Sequence, residues 1–552
     1  DPTRLCQYES GEPGKNISDV RGNMYATFDY ILKMLTDCKD ERPIILVEYL
    51  YQIRNSGGGM ERFVELMERY DRFQGGFVWD WQDKCLMARD KNGKEFYGYG
   101  GDFQEPFVEG LDRDGDQPRF MTCNGIVLPD LTWKPVAYEV KEGYAPIRFK
   151  RPEVFSAWDT TSGWNVFIIE NHCQELPVTE FSCTAVLREN GCIIKEKEIE
   201  LPNIKVGEQQ KILVEIPHEK RPGGIYTIEF SIRQRQQTLY AQAGSEIGLF
   251  QFEQESGPAI PTQELDLLAG LKQEVEGQTL CLSANGCQIK IDLCTGELIG
   301  LFKEGKALLQ KIAPCFDRPY TGLDALEGWG WYDEYEKIRK QSFVWQKPEV
   351  LTGKGKVRVE VPFRQKEETM PAINGKVVYS FDGNGVLTMD ADFHIDRYYR
   401  AVPRVGVECI FAEGLEQLSY FGRGQNESYP DRVLSAPLGV YQTYVENEHF
   451  PFVPPSENGG HEETRWVQLE NQQGLGVRIV SEQPFHFDAH HSTVADYQTA
   501  MHDHELNKRK EIIVHLDAAH GPIGDDMSWS TAMSEKYKLT GGDYHMQVQF
   551  RA

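Results

Sequence analysis

No histidine precedes His172, so the first 171 residues of this 552-residue chain cannot by themselves hold a Ser-His-Asp triad, a Cys-His pair or an HExxH zinc site. No CxxC pair occurs among the 12 scattered cysteines, which excludes a dense disulfide framework and a structural zinc site of the usual spacing. Reduced thiols in a cytoplasmic protein are the expectation. Positive charge is scarce: 59 Lys and Arg face 85 Asp and Glu, a net charge of −26. Nucleic acid and anionic membrane surfaces, which demand clustered cations, are therefore poor partners, and a neutral ligand fits better. No apolar run approaches the roughly 18 residues that cross a bilayer. The opening residues DPTRLCQYES carry no initiator Met, no basic segment and no apolar segment. They are expected to come from the interior of a longer protein, any localisation signal lying upstream. Neither a fixed-period repeat nor a low-complexity tract is present. The two N-x-S sequons, at Asn16 and Asn426, are of a kind that arises often by chance.

What is present is enough apolar and aromatic material for several cores: 40% apolar residues, with 28 Phe, 25 Tyr and 10 Trp. The length predicts about three or four domains. Residues 1–145 alternate short apolar runs with helical patterns. RLCQYE (4–9), the stretch ending at Met24-Tyr25, RPIILVEY (42–49) and GGFVWDW (75–81) read as strands. YATFDYILKMLTDCKD and MERFVELMERYDRF read as helices, the second placing Phe63, Leu66, Met67, Tyr70 and Phe73 at steps of three or four. Strand–helix–strand order predicts parallel β/α units, about four strands of a (β/α)8 barrel. Residues 146–252 turn to alternating strands with no helix, as in an immunoglobulin-like sandwich. Residues 253–264, EQESGPAIPTQE, read as a linker. Residues 265–552 are all-β and long enough for one large sandwich. The predicted fold class is thus α/β plus all-β.

Carboxylates and tyrosines are left as the chemistry of the first segment. Glu48 ends the apolar run Ile44–Val47, the C-terminal strand end where barrel enzymes keep catalytic groups. Glycoside hydrolysis needs two carboxylates flanking the scissile bond. The alternative is a solvated strand end, and spacing alone leaves both open. Trp79 and Trp81, two apart in GGFVWDWQD, are expected on one side of a strand, as a sugar-stacking platform or as core. Asp112, Asp114 and Asp116 resemble the start of a calcium loop but lack its last glutamate ligand. His490-His491 and His502-x-His504 could suggest a metal, though no Cys or Glu stands at ligand spacing. The aromatic-acidic loop 325–338 suits a sugar edge or a subunit contact.

Several blocks in order resemble the large multidomain β-galactosidases of glycoside hydrolase family 2. DPTRLCQYE, RPIILVEY, NSGGGMERFVELMERYDRFQGGFVWDWQD, YGGDF, CNGIVLPD and KPVAYEVK resemble the last half of that family's catalytic barrel, about strands 5–8. YFGRGQNESYPDR, FPFVPPSENGGHEETRW, DDMSWS and GGDYHMQVQF resemble its large C-terminal β-sandwich. The resemblance implies that Glu48 is the nucleophile of a retaining enzyme acting on terminal β-D-galactosyl residues. It implies that Tyr25 tunes Glu48, that Trp79 packs against the galactose face, and that Asn124 lies near the sugar hydroxyls and a sodium ion. Phe120 would offer a backbone carbonyl to that sodium, although FMTCN spaces Phe120 and Asn124 four apart where the family has three. Tyr51 stands where the family has a histidine that reaches the sugar's 6-hydroxyl, and Arg54 replaces a glycine. VRIVSEQPFHF lacks the tryptophan that this sandwich delivers to some family active sites.

The family's acid/base glutamate and Mg2+ ligands would lie upstream of residue 1. The chain is therefore expected to be a C-terminal part that needs a missing N-terminal part or complementary subunit, and to be inactive alone. The completed enzyme is expected to be a homo-oligomer. The alternatives are a non-catalytic sugar-binding or assembly subunit, and a related hydrolase with a different glycone, Arg54 pairing with an acidic C6 or simply lying on the surface.

Overall fold

The computed structural model describes all residues except 1–2, 10–13, 105–118, 153–163, 219–220, 255–269, 323, 325–329, 354, 368–370 and 525–530. Asp112, Asp114 and Asp116, most of the 253–264 stretch, residues 325–329 and DDMSWS thus lie outside the described residues, as does the side chain of Phe120.

Alternation dictates the first sheet. In β1 (Ile44–Tyr49), Ile44 and Leu46 point inward and are fully buried. β1 runs parallel to β2 (Phe73–Val78), with Ile44 opposite Phe73 and Tyr49 opposite Val78. On its other side, parallel bridges join Arg21 to Ile44 and Met24 to Glu48, and beyond β2 another joins Gln82 to Val127. The result is an arc of four parallel chain segments, a partial barrel. Helices α1 (Phe28–Thr36), α2 (Met60–Arg69) and α3 (Pro135–Gly143) cover it. Phe28, Ile31, Phe63, Val136 and Val140 close on Ile44 and Leu46. The Thr27 hydroxyl accepts from Tyr30 N and starts α1, while α2 starts at Gly59, whose φ of 80° favours glycine.

Arg4–Glu9, expected as a strand, pairs with no strand among the described residues. The backbone N–H of Cys6 donates to the Asp19 carboxylate and that of Tyr8 to the Ser18 hydroxyl, so side chains take the donors a ladder would use. A short hairpin, β3 (Leu86–Arg89) and β4 (Glu95–Gly98), follows β2.

The next unit packs two antiparallel sheets face to face. β5 (Ile147–Lys150), β6 (Trp164–Asn171) and β9 (Gln209–Glu215) form one. β7 (Phe181–Glu189), β8 (Cys192–Ile199), β10 (Tyr226–Gln234) and β11 (Glu246–Gln254) form the other. Tyr226, Ile228, Phe230 and Ile232 enter the core together, and Phe230 stacks on Phe149 with ring centroids 4.2 Å apart. From Lys272 to Arg551 the described chain forms a single seventeen-stranded antiparallel sheet folded around one continuous apolar core. Among the described residues no helix is long and apolar enough to cross a membrane.

The loop after β1 is seated on this large sheet. Asn55 Nδ2 donates to Glu427 (2.6 Å) and to the Glu457 carbonyl (2.8 Å), and Arg432 donates to Asn55 Oδ1 and the Ser56 carbonyl. From α3, fully buried Glu139 accepts the backbone N–H groups of Leu434 and Ser435. Burial dominates and pushes the Glu139 carboxyl up to about 7, against the pull of those two donors. Because the folded protein then holds this proton more tightly than the unfolded chain, stability falls as pH rises from about 4.5 through 7. Glu139→Gln should flatten that part of the profile, read as urea midpoints between pH 5 and 8. An unchanged slope would show that Glu139 does not titrate there.

Candidate active site

Glu48 lies at the C-terminal end of β1, half-buried, and its backbone carbonyl accepts the N–H of Tyr25 at 2.9 Å. That bond brings Tyr25, whose φ is 52°, beside the strand end. The Tyr25 ring meets the Tyr51 ring edge-on, centroids 5.8 Å apart. Tyr51 is buried and donates its hydroxyl to the Met121 carbonyl at 2.7 Å. Burial pushes the Tyr51 phenol up to about 12; a hydrogen bond with Asn124 opposes this, and the charges of Cys123 and Glu48 add to it.

Trp79 is tied to the same end: its N–H donates to the Tyr49 carbonyl, and its own carbonyl accepts from Gln52 N. The expectation that Trp79 and Trp81 share one face of a strand fails, because β2 ends at Val78. The chain then turns to pair with the Asn124–Val127 segment through Asp80 N to Asn124 O and Ile126 N to Asp80 O. Both tryptophans are exposed, Trp79 by 36% and Trp81 by 62%, so neither is core. Gly125 is required here: a Cβ on it would lie 2.2 Å from the backbone nitrogen of Asp83.

Two acids follow Trp79, and each has a cation. Asp83 and Lys134 form a buried pair at 2.6 Å, and Asp83 also accepts Gly125 N at 2.7 Å. Burial raises the Asp83 carboxyl more than Lys134 lowers it. Asp80 binds the Lys84 ammonium, and that bond together with the Trp81 N–H outweighs burial and lowers its carboxyl. Lys84 Nζ also donates to Asn124 Oδ1 at 2.8 Å and stands 5.6 Å from the Trp79 ring centroid.

Lys84 bears on the sodium expectation. Asn124 Oδ1 already accepts from an ammonium, while its amide N–H serves the Tyr51 phenol oxygen, whose own proton goes to Met121. The Asn124 oxygen is thus taken by the ammonium of a half-exposed lysine, which a sodium ion at this oxygen would have to displace. Sequence reading missed Lys84, because its partner Asn124 lies forty residues further on.

Arg54 is neither a surface residue nor a partner for a sugar carboxylate. It is 6% exposed, donates to the Pro455 carbonyl and lies over the Tyr320 ring, 5.5 Å from its centroid. It anchors the loop to the large sheet. The histidine pairs also have structural partners: His490 with the Asn458 carbonyl, His491 with Glu416, and His502 with Asp102. His504 packs against Phe96.

Among known families, residues 1–149 match the glycosyl hydrolases family 2 TIM barrel domain, residues 167–255 match β-galactosidase domain 4, and residues 283–550 match the β-galactosidase small chain. A β-galactosidase of Psychromonas ingrahamii is 25% identical over 582 residues, covering 99% of this chain and 53% of that protein. One from Pectobacterium atrosepticum is 26% identical, covering 99% of this chain and 52% of that protein. The chain thus spans about half the length of the curated relatives it matches.

Proposed function

Because the chain belongs to glycosyl hydrolase family 2, we propose that it is the nucleophile-bearing part of a retaining β-galactosidase, completed by an N-terminal part or subunit. The observation that carries this reading is the convergence of Glu48, Tyr25, Tyr51, Asn124 and half-exposed Trp79 at one end of a partial barrel. Glu48 attacks the anomeric carbon as the bond to the leaving oxygen breaks, and water later cleaves the glycosyl ester. Tyr25 flanks the nucleophile, and Trp79 offers an apolar face to the sugar ring. Asn124 and Lys84 supply polar contacts at its rim.

The leaving oxygen needs a proton, and neither Asp80 nor Asp83 suits that role, since each is committed to a lysine. The acid comes from the complementary part, which would also hold any Mg2+. Phe77 and Trp81, exposed by 63% and 62%, are apolar area for that part to cover. The domain division we propose is 1–145, 146–252, a linker at 253–264, and 265–552.

The test is hydrolysis of an aryl β-galactoside by the chain alone and after mixing with an N-terminal half from a relative. Negligible turnover alone and recovery on mixing are expected. Robust turnover by the chain alone would overturn the division of labour. Galactose binding with no recovered turnover would favour a sugar-binding or assembly subunit. In the recovered enzyme Trp79→Ala should raise KM roughly tenfold through lost ring contact; an unchanged KM would remove Trp79 from the sugar site.

A further inference from the structure

Cys85 and Cys123 meet inside the molecule with their sulfur atoms 3.0 Å apart, 38 residues apart in sequence. Cys85 is 7% exposed and Cys123 fully buried, in a small cluster with Tyr51, Ile53, Tyr99, Leu128 and Val453. A disulfide requires the sulfurs to approach to about 2.05 Å, so closing the gap takes a movement of roughly 1 Å. The other cysteines of the partial barrel, Cys6 and Cys38, are exposed. We propose that Cys85 and Cys123 are an oxidisable pair whose disulfide locks together the two segments that frame the candidate sugar site.

The placement gives the link its consequence. Cys85 directly follows Lys84 and Cys123 directly precedes Asn124, and Lys84 Nζ already bonds Asn124 Oδ1 at 2.8 Å. The backbones are joined as well, Lys84 N donating to the Thr122 carbonyl. A bond between the sulfurs would turn this polar contact into a covalent frame. The consequence for sugar binding rests on the proposed β-galactosidase reading; formation of the bond does not.

A small-molecule disulfide such as oxidised glutathione is the oxidant. Cys85, the more accessible of the two, loses its proton and attacks one sulfur of the oxidant, expelling one glutathione thiolate. Cys123 holds its proton tightly, because its hydrogen bond to Cys85 and its burial both push its thiol up. Once Cys123 is deprotonated, its sulfur attacks Cys85, breaking the mixed disulfide and expelling the second glutathione thiolate. Two protons pass from the cysteines to the two thiolates, so two thiols are oxidised and one disulfide is reduced. Burial makes the reaction slow in the closed protein and faster whenever the segments part.

The experiment equilibrates the full 552-residue chain with oxidised glutathione, then unfolds it, alkylates it and digests it without reductant. One peptide pair linking Cys85 to Cys123 is expected. The melting temperature should rise by about 4 °C or more over the reduced protein. Cys85→Ala and Cys123→Ala should each abolish both effects, while Cys38→Ala retains them. Melting of the alanine variants under reducing conditions shows whether they fold. The proposal is overturned if both thiols remain alkylatable in wild type, if glutathione stays on Cys85 without exchange, or if Cys85 pairs with another cysteine. These outcomes need no glycosidase activity and are distinguishable from failure of the β-galactosidase reading.

Discussion

Glu48→Gln should abolish turnover in the complemented enzyme, lowering kcat by at least about 10³-fold, with galactose binding retained. Gln keeps the shape and the hydrogen-bonding oxygen of the side chain but cannot form a stable ester with the anomeric carbon. The link to neighbouring residues runs through the Glu48 backbone, whose carbonyl binds Tyr25 N, and that bond survives the substitution. Loss of the carboxylate also removes one of the charges that raise the Tyr51 phenol, so the Tyr51 pKa should fall from about 12. Retained turnover would assign the nucleophile elsewhere.

The largest stability effect is expected from Asp83→Ala. Lys134 is 1% exposed and its ammonium lies 2.6 Å from Asp83, itself 2% exposed. Removing the acid strands a cation in the interior and leaves the Gly125 N–H without its acceptor, at a cost of roughly 3–5 kcal/mol. The urea midpoint should fall accordingly. Adding Lys134→Met should recover much of the loss, because the cost is that of the unpaired charge rather than of the missing attraction. A double variant as unstable as the single one would show that Asp83 acts through the Gly125 turn instead. The same pair explains why Asp83 stands next to the candidate site without serving as its acid.

Local pattern carried much of the fold. The apolar run Ile44–Val47 with Glu48 behind it, and the stepped apolar residues of α2, marked a strand and a helix because their burial periodicity is set by neighbours a few residues away. The strands of the second unit were legible for the same reason. What failed depended on distant partners. Arg54 looked like a loop arginine, yet its acceptor at Pro455 is 401 residues away. Arg4–Glu9 had a strand-like composition, but Asp19 and Ser18 take its backbone donors. Trp79 and Trp81 followed a strand pattern beyond the point where pairing with Asn124–Val127 pulls the chain away. Of the candidate site, Glu48 and Trp79 stood out from the residue pattern, while Tyr25, Tyr51 and Asn124 were named only through the family resemblance; all five lie near the C-terminal end of β1. Lys84 was not named, because its meaning depends on Asn124, forty residues on.

The most direct measurement is to trap the intermediate. The complemented enzyme is treated with an activated fluorinated galactoside whose glycosyl–enzyme hydrolyses slowly, and the labelled peptide is sequenced by mass spectrometry. The account predicts one galactosyl label, on Glu48, formed only in the presence of the N-terminal part and absent from Glu48→Gln. A label on any other carboxylate, or on Glu48→Gln protein to the same extent, would contradict it.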